Sequence, residues 1–296
     1  MIPTFTHMKV AGFSFIKNAI QHDYPIREAL QSIAPLCDEL YLAVGKSQDE
    51  TLQMIRGLDI PKLNIIETDW DPALREGGAV LADETNKAFD AIPEDVDWCV
   101  YIQGDEVLHE KGHEELIRAM EKYKDRPEIE GLLLNYRHFY GSYDYIGDSR
   151  KWYRKEVRII RNDKSIRSFK DAQGFRKDGR KLHVKPTNAW MHHYGWVKHP
   201  EKQQQKMQTF NRLWHDEDWM DKHIPKVEVF DYSQIDSLNK FEGSHPQVMR
   251  ERIEKMNWQF SFDPTNKKFS LKERLSRWIE KMTGWRPGEY KNYKVV

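Results

Sequence analysis

The sequence predicts an α/β fold: a doubly wound, mixed and mainly parallel sheet flanked by helices, followed by a helical C-terminal extension. Three observations predict it. Short apolar runs alternate with stretches of helical spacing through the first 140 residues. Helix-start signals separate the runs. Past about residue 140 the alternation gives way to aromatic and basic segments, and helical patterns return from about residue 201.

Taken in order, Lys9 to Ile16 reads as a buried strand. Asp23 is placed to cap a helix carrying Ile26, Ala29, Leu30 and Ile33 on one face. Glu39 to Val44 is the second strand. Ser47 and Glu50 fit a capping box opening a helix with Leu52 and Ile55. Leu63 to Glu67 is the third strand, and a polar loop runs from Thr68 to Gly78. Val80, Leu81, Ala88 and Phe89 mark the next helix. Asp97 to Ile102 is the fourth strand, ending at Gln103-Gly104-Asp105-Glu106. A helix near Gly112 to Tyr123 and a strand from Gly131 to Tyr140 follow. Hairpins are expected after that. Residues 171–200 read as loop, with His183, His192, His193 and His199. Ser270 to Met282 forms an amphipathic basic helix, with Leu271, Leu275, Trp278, Ile279 and Met282 on one face. The expected division is a domain over 1–200, with halves 8–120 and 121–200, and a mainly helical extension over 201–296.

Composition narrows the class. The 296 residues carry 47 Lys plus Arg against 47 Asp plus Glu, so there is no basic surplus to bind nucleic acid. Cys37 and Cys99 sit in or beside apolar runs and suggest no disulfide framework. Neither a signal peptide nor a membrane span is legible, so the chain is expected in the cytoplasm. The 10 Trp, 13 Tyr and 13 Phe suit either core or platforms for sugar-like ligands.

In a doubly wound sheet, ligands sit at the carboxyl ends of the strands. Asp105 and Glu106 fall at such an end, behind a glycine. Hard divalent cations prefer such oxygen ligands and bridge phosphates. On the pair alone, an acidic turn before the next helix is equally admissible. Three further runs accompany it: Ser14-Phe15-Ile16-Lys17-Asn18 after the first strand, Ser47, Asp49 and Thr51 after the second, and Gly77-Gly78 leading to Asn86. In this order the runs resemble the family 2 glycosyltransferases of the GT-A fold. The stretch His193-Tyr194-Gly195-Trp196-Val197 is similar to one in a bacterial, non-processive subgroup, as are Asp171 to Phe175 and Gly243 to Pro246.

The resemblance implies transfer of a sugar from a nucleoside diphosphate to an acceptor hydroxyl with inversion, in cell-surface glycan synthesis. It implies a divalent cation, Mn²⁺ or Mg²⁺, at Asp105 and Glu106 with His193 completing the site. It implies a donor held by Ser14, Asn18, Asp49, Arg75, Gly78, Asn86, Gln103 and Trp196. The acceptor is expected to be a glycan or a lipid-linked glycan. Asp171 is the candidate base, with Glu156 and Asp144 as others, and Lys87 is a further candidate for phosphates. Departures are visible too. Gln103 stands where the family has an Asp, and Gly45-Lys46 where an acidic pair often meets the base. The alternative is a binding protein of the same fold that has lost activity. The terminal helix has three readings: packing on the domain, self-association, or peripheral contact with an anionic membrane.

Overall fold

The computed structural model describes residues 8–74, 76–212, 217–223 and 227–296. Its strands are β1 (Val10–Ile16), β2 (Glu39–Gly45), β3 (Leu63–Thr68), β4 (Trp98–Tyr101), β5 (Glu106–Leu108), β6 (Gly131–Tyr140), β7 (Ser142–Gly147), β8 (Lys155–Arg161), β9 (Ile166–Phe169), β10 (Gly174–Lys177), β11 (Arg180–Lys181), β12 (His183–Trp196), β13 (Leu238–Lys240) and β14 (Lys294–Val295). Its helices are α1 (Ile26–Ile33), α2 (Thr51–Arg56), α3 (Ala79–Asp90), α4 (His113–Tyr123), α5 (Pro200–Asn211), α6 (Glu217–His223), α7 (Arg250–Glu254) and α8 (Leu271–Thr283).

The main sheet runs in the order β13-β7-β6-β8-β4-β1-β2-β3, and β12 lies against both β6 and β5. Strands β4, β1, β2 and β3 are mutually parallel. Antiparallel β8 joins them to β6, which pairs in parallel with β12. This is the mixed, helix-flanked α/β sheet expected from the sequence.

Strand β1 shows why the centre is apolar on both faces. Side chains alternate along a strand. Val10 and Ile16 enter a core with α1 and α4 side chains such as Ile26, Leu30, Leu116 and Met120. Ala11 and Phe13 enter the opposite core with Phe89 of α3, Tyr101 and Phe175. Phe13 is fully buried, and its ring lies 5.3 Å from Phe89 and 5.1 Å from Tyr101. Burying such a ring is worth about 2–3 kcal/mol.

Three local expectations are corrected. Residues 183–196 form a 14-residue strand, not a loop. Its histidines and Pro186 hide the period-2 pattern, but backbone partners on β6 and β5 supply the ladder, and the Pro lies at a register shift. Asp23 does not cap α1. Its backbone is left-handed (φ 48°), its carboxylate pairs with Arg252 at 2.6 Å, and Pro25 takes the cap position without a side-chain bond. Ser47 and Glu50 form no capping box, because α2 starts only at Thr51. The box that does form is Ser270 with Glu273, at the start of α8. Beyond residue 200 the chain adds β13 to β7 and β14 to β12 of the main sheet.

Candidate functional site

The loops after β1, β2 and β4 meet at the carboxyl ends of these strands. They border a cleft of about 820 Å³, closed on the far side by β12, the 171–173 turn and α5. Side-chain-to-backbone bonds stitch the first two loops. The Asn18 amide donates to Ser47 Oγ at 3.0 Å, and Asn18 Oδ1 accepts from Gln48 N at 2.8 Å. Asp49 Oδ2 accepts from Gln21 N at 2.7 Å, and Thr51 Oγ1 from Ala19 N at 2.7 Å. The Ser-Asp-Thr motif thus holds the loop that carries Asn18, Gln21 and His22 into the cleft.

Asp105 points into this cleft. Its Oδ2 lies 3.1 Å from Lys206 Nζ and 3.7 Å from His193 Nε2. Gly195 makes the arrangement possible. A Cβ there would come within 2.7 Å of Asp105 Oδ2 and 2.6 Å of the His193 ring. Burial alone would push the Asp105 carboxyl up, but Lys206, His193 and Lys198 outweigh it and hold it well below the usual range. Burial, opposed by Asp105, lowers His193. A chain of bonds then sets its tautomer. The Tyr153 carbonyl accepts from His138 Nε2 at 2.8 Å, so His138 Nδ1 must accept from His193 Nδ1 at 3.3 Å. The His193 Nε2 lone pair is left facing Asp105.

Glu106 has the opposite environment. It is fully buried, as is Arg158, which bonds both carboxylate oxygens at 2.9 and 2.8 Å. Tyr136 Oη and the Gln103 amide donate to it as well, at 2.8 and 3.1 Å. Its acceptors are engaged, and it does not border the cleft.

The other expected residues divide in two. Asn18, Gln103, Asp171 and Trp196 border the cleft beside Asp105 and His193. Gln103 Nε2 donates to the Ala172 carbonyl at 3.2 Å and so anchors the turn bearing Asp171. Ser14 is buried within β1, and Asp49 works from behind the loop. Gly78 has a left-handed backbone (φ 71°) at the start of α3. Asn86 accepts from Ser168 N at 2.9 Å and ties α3 to β9. Lys87 is paired with Asp83 and Glu84 at 2.9 and 2.7 Å. Glu156 is buried behind Gln173, and Asp144 lies on β7 away from the cleft. His192 is buried against Arg137 and Tyr194. Arg75 lies outside the described residues.

Sequence reasoning missed Lys206, Tyr24 and Trp70. Gln203, Lys206 and Met207 border the cleft from one face of α5, a spacing of three and four that was open to reading. Tyr24 lies 5.0 Å from Lys206 Nζ and 4.7 Å from Lys198 Nζ. Burial, with Lys206 nearby, brings Lys198 down to about 7. Trp70 explains Gly45, since a Cβ there would lie 2.3 Å from the Trp70 indole nitrogen.

Two donors face one point in this cleft, Asp105 Oδ2 and His193 Nε2. In an octahedral Mg²⁺-sized ion, cis ligands lie about 3.0 Å and trans ligands about 4.2 Å apart, and the 3.7 Å between these two atoms lies between the two spacings. Among the described residues no group of three or more His, Cys, Asp or Glu stands together to hold a metal ion. By donor chemistry alone, a carboxylate and a neutral imidazole nitrogen, the pair suits a divalent cation, although Asp105 Oδ2 is held here by Lys206.

No family model matches this chain, and no curated protein does. Solved structures do. TarS from S. aureus is 14% identical over 68% of this chain and 39% of that one, with a TM-score of 0.39. Its 1–349 fragment in complex with UDP is 16% identical over 68% of this chain and 64% of that one, at 0.38. This chain thus spans less than two thirds of either. Glucosyl-3-phosphoglycerate synthase from Mycobacterium tuberculosis, with Mg²⁺ and UDP, is 17% identical over 44% of each chain, at 0.29.

Proposed function

We propose that this chain is a glycosyltransferase moving a sugar from a nucleoside diphosphate sugar to an acceptor hydroxyl, with inversion, in cell-surface glycan synthesis. The observation that carries the reading is the meeting of Asp105, His193 and Lys206 at the carboxyl ends of parallel strands. Open α/β sheets bind ligands there.

Departure of a nucleoside diphosphate builds negative charge on its phosphate oxygens. A divalent cation held by Asp105 and His193 would neutralise part of that charge. Lys206 supplies a second, fixed positive charge on the same side. Its ammonium is held by Asp105 and by the Gly195 carbonyl at 3.0 Å, so little reorganisation is needed when charge develops. Trp70 and Phe15 border the same cleft, their rings 6.1 Å apart and inclined at 56°, and an aromatic face there suits a nucleobase. Asp171 borders the same cleft and takes the proton of the acceptor hydroxyl. The bond from the anomeric carbon to phosphate oxygen breaks as the bond to acceptor oxygen forms. His193 and Gln103 border the same cleft.

Calorimetric titration of nucleoside diphosphates with and without Mn²⁺ tests the donor site. The expected outcome is Mn²⁺-assisted binding that Asp105→Ala weakens by about 100-fold or more, on the scale of losing a charge-assisted contact. Unchanged affinity in that variant sinks the assignment. Asp171→Asn should keep donor binding and lower transfer by about 10²–10⁴-fold. Normal turnover would remove Asp171 from the scheme.

A further inference from the structure

Helix α8 is amphipathic with its apolar side turned away from the protein. Leu271, Leu275, Trp278 and Met282 are 86, 60, 61 and 68% exposed. At 100° per residue they fall within about 60° of arc. Trp285, just past the helix, is 63% exposed. The side facing the protein is ionic instead. Arg277 bonds both Asp148 oxygens at 3.0 and 3.1 Å. Glu280 accepts from Arg150 at 3.1 Å and from Arg154 at 3.0 Å. A helix stabilised by core packing has the reverse arrangement, as α4 does with buried Leu116 and Met120.

The charge around the apolar stripe has one sign. Lys272, Arg274 and Lys281 flank it and are exposed. The helix's acids are engaged elsewhere: Glu273 in the capping box and Glu280 with the inward arginines. The neighbouring cleft of about 1060 Å³ adds Arg137, Lys155 and Lys291.

We propose that the outer face of α8 docks on an anionic lipid bilayer surface. Aliphatic side chains and a tryptophan enter the headgroup boundary while the flanking cations meet lipid phosphates. This fits the page better than a second copy of the chain does. A two-fold pairing through the stripe would bring Arg274 and Lys281 of one copy against the same cations of the other. Among the described residues no helix is long and apolar enough to cross a membrane, so the contact is peripheral. The inference is independent of the reaction assigned above.

Co-flotation of the full chain with vesicles tests it. The chain should bind phosphatidylcholine vesicles containing phosphatidylglycerol, bind pure phosphatidylcholine weakly, and be released by salt. Leu275→Glu with Trp278→Glu alters only outward side chains. It should lower binding by about tenfold or more, as should Lys272→Glu with Arg274→Glu and Lys281→Glu. Circular dichroism and nucleotide titration should stay unchanged in both. Three results would overturn the proposal: no binding of the wild type to anionic vesicles, equal binding by wild type and the apolar variant, or self-association abolished by the apolar variant with no vesicle binding.

Discussion

Asp105 and Glu106 adjoin in the chain, yet one borders a cleft and the other is closed inside a core. The Asp105 side chain is 14% exposed and meets Lys206 at Oδ2. The Glu106 side chain is 0% exposed and is bonded by Arg158, Tyr136 and the Gln103 amide. The turn before β5 marks the split: Asp105 lies in it, while Glu106 begins β5 opposite His193 of β12. The acidic pair thus divides into one carboxylate that borders the cleft and one that anchors the core. Glu106 and Arg158 also hold the 173 carbonyl, through an Arg158 bond at 2.9 Å, and so brace the turn that carries Asp171.

The largest expected effect lies on the anchor. Glu106→Ala leaves the buried Arg158 cation without its partner and should lower stability by about 3–5 kcal/mol, read by urea unfolding. Replacing both, as Glu106→Leu with Arg158→Met, should recover much of that loss because no charge remains buried. A Glu106→Ala protein of normal stability that had lost nucleotide binding would reverse the assigned roles.

A third carboxyl sharpens the core side of the comparison. Burial, with Arg158 opposing it, lifts Glu156 to about 7. Its Oε1 accepts from Gln173 at 2.8 Å, while Oε2 has no partner among the described residues. The folded state then holds a proton that the unfolded state releases near 4.3. Stability is fully present below that value and falls as pH rises through about 7. Glu156→Gln should abolish this fall and stabilise the protein at pH 8 by as much as about 3 kcal/mol relative to wild type, with little change at pH 4. Parallel unfolding curves at the two pH values would show that Glu156 ionises normally.

The parallel half of the fold was legible because its strands β1, β2 and β4 are buried on both faces and read as apolar runs. The run from Val10 to Ile16 is one such strand. β12 was not, because His192 and Tyr194, which are buried, and His193 between them, which is half-buried, resemble loop residues when read one at a time. In the site, Asp105 and His193 were chosen from sequence and lie 3.7 Å apart. Ser14, Gly78 and Asn86 belong to motif positions that shape the backbone rather than the cleft wall. Lys206 escaped because it lies 101 residues from its partner and on a mostly polar helix. Long-range pairing of that kind leaves no periodic trace.

The smallest effect separates two jobs for Lys206 and so tests the cleft side of the comparison. Lys206 can act as counter-ion to Asp105, as a positive charge for phosphates, or as both. Lys206→Met keeps the chain length, removes the charge and preserves the apolar stem over Tyr24. If the ammonium serves the ligand, nucleoside diphosphate affinity should fall by about tenfold, close to 1.4 kcal/mol. If it serves Asp105 alone, its removal frees the carboxylate for a competing cation. Mn²⁺-assisted binding should then tighten. The geometry favours the first outcome, since Lys206 is held by the Gly195 carbonyl as well as by Asp105 and would stay in place when Asp105 turns to another partner.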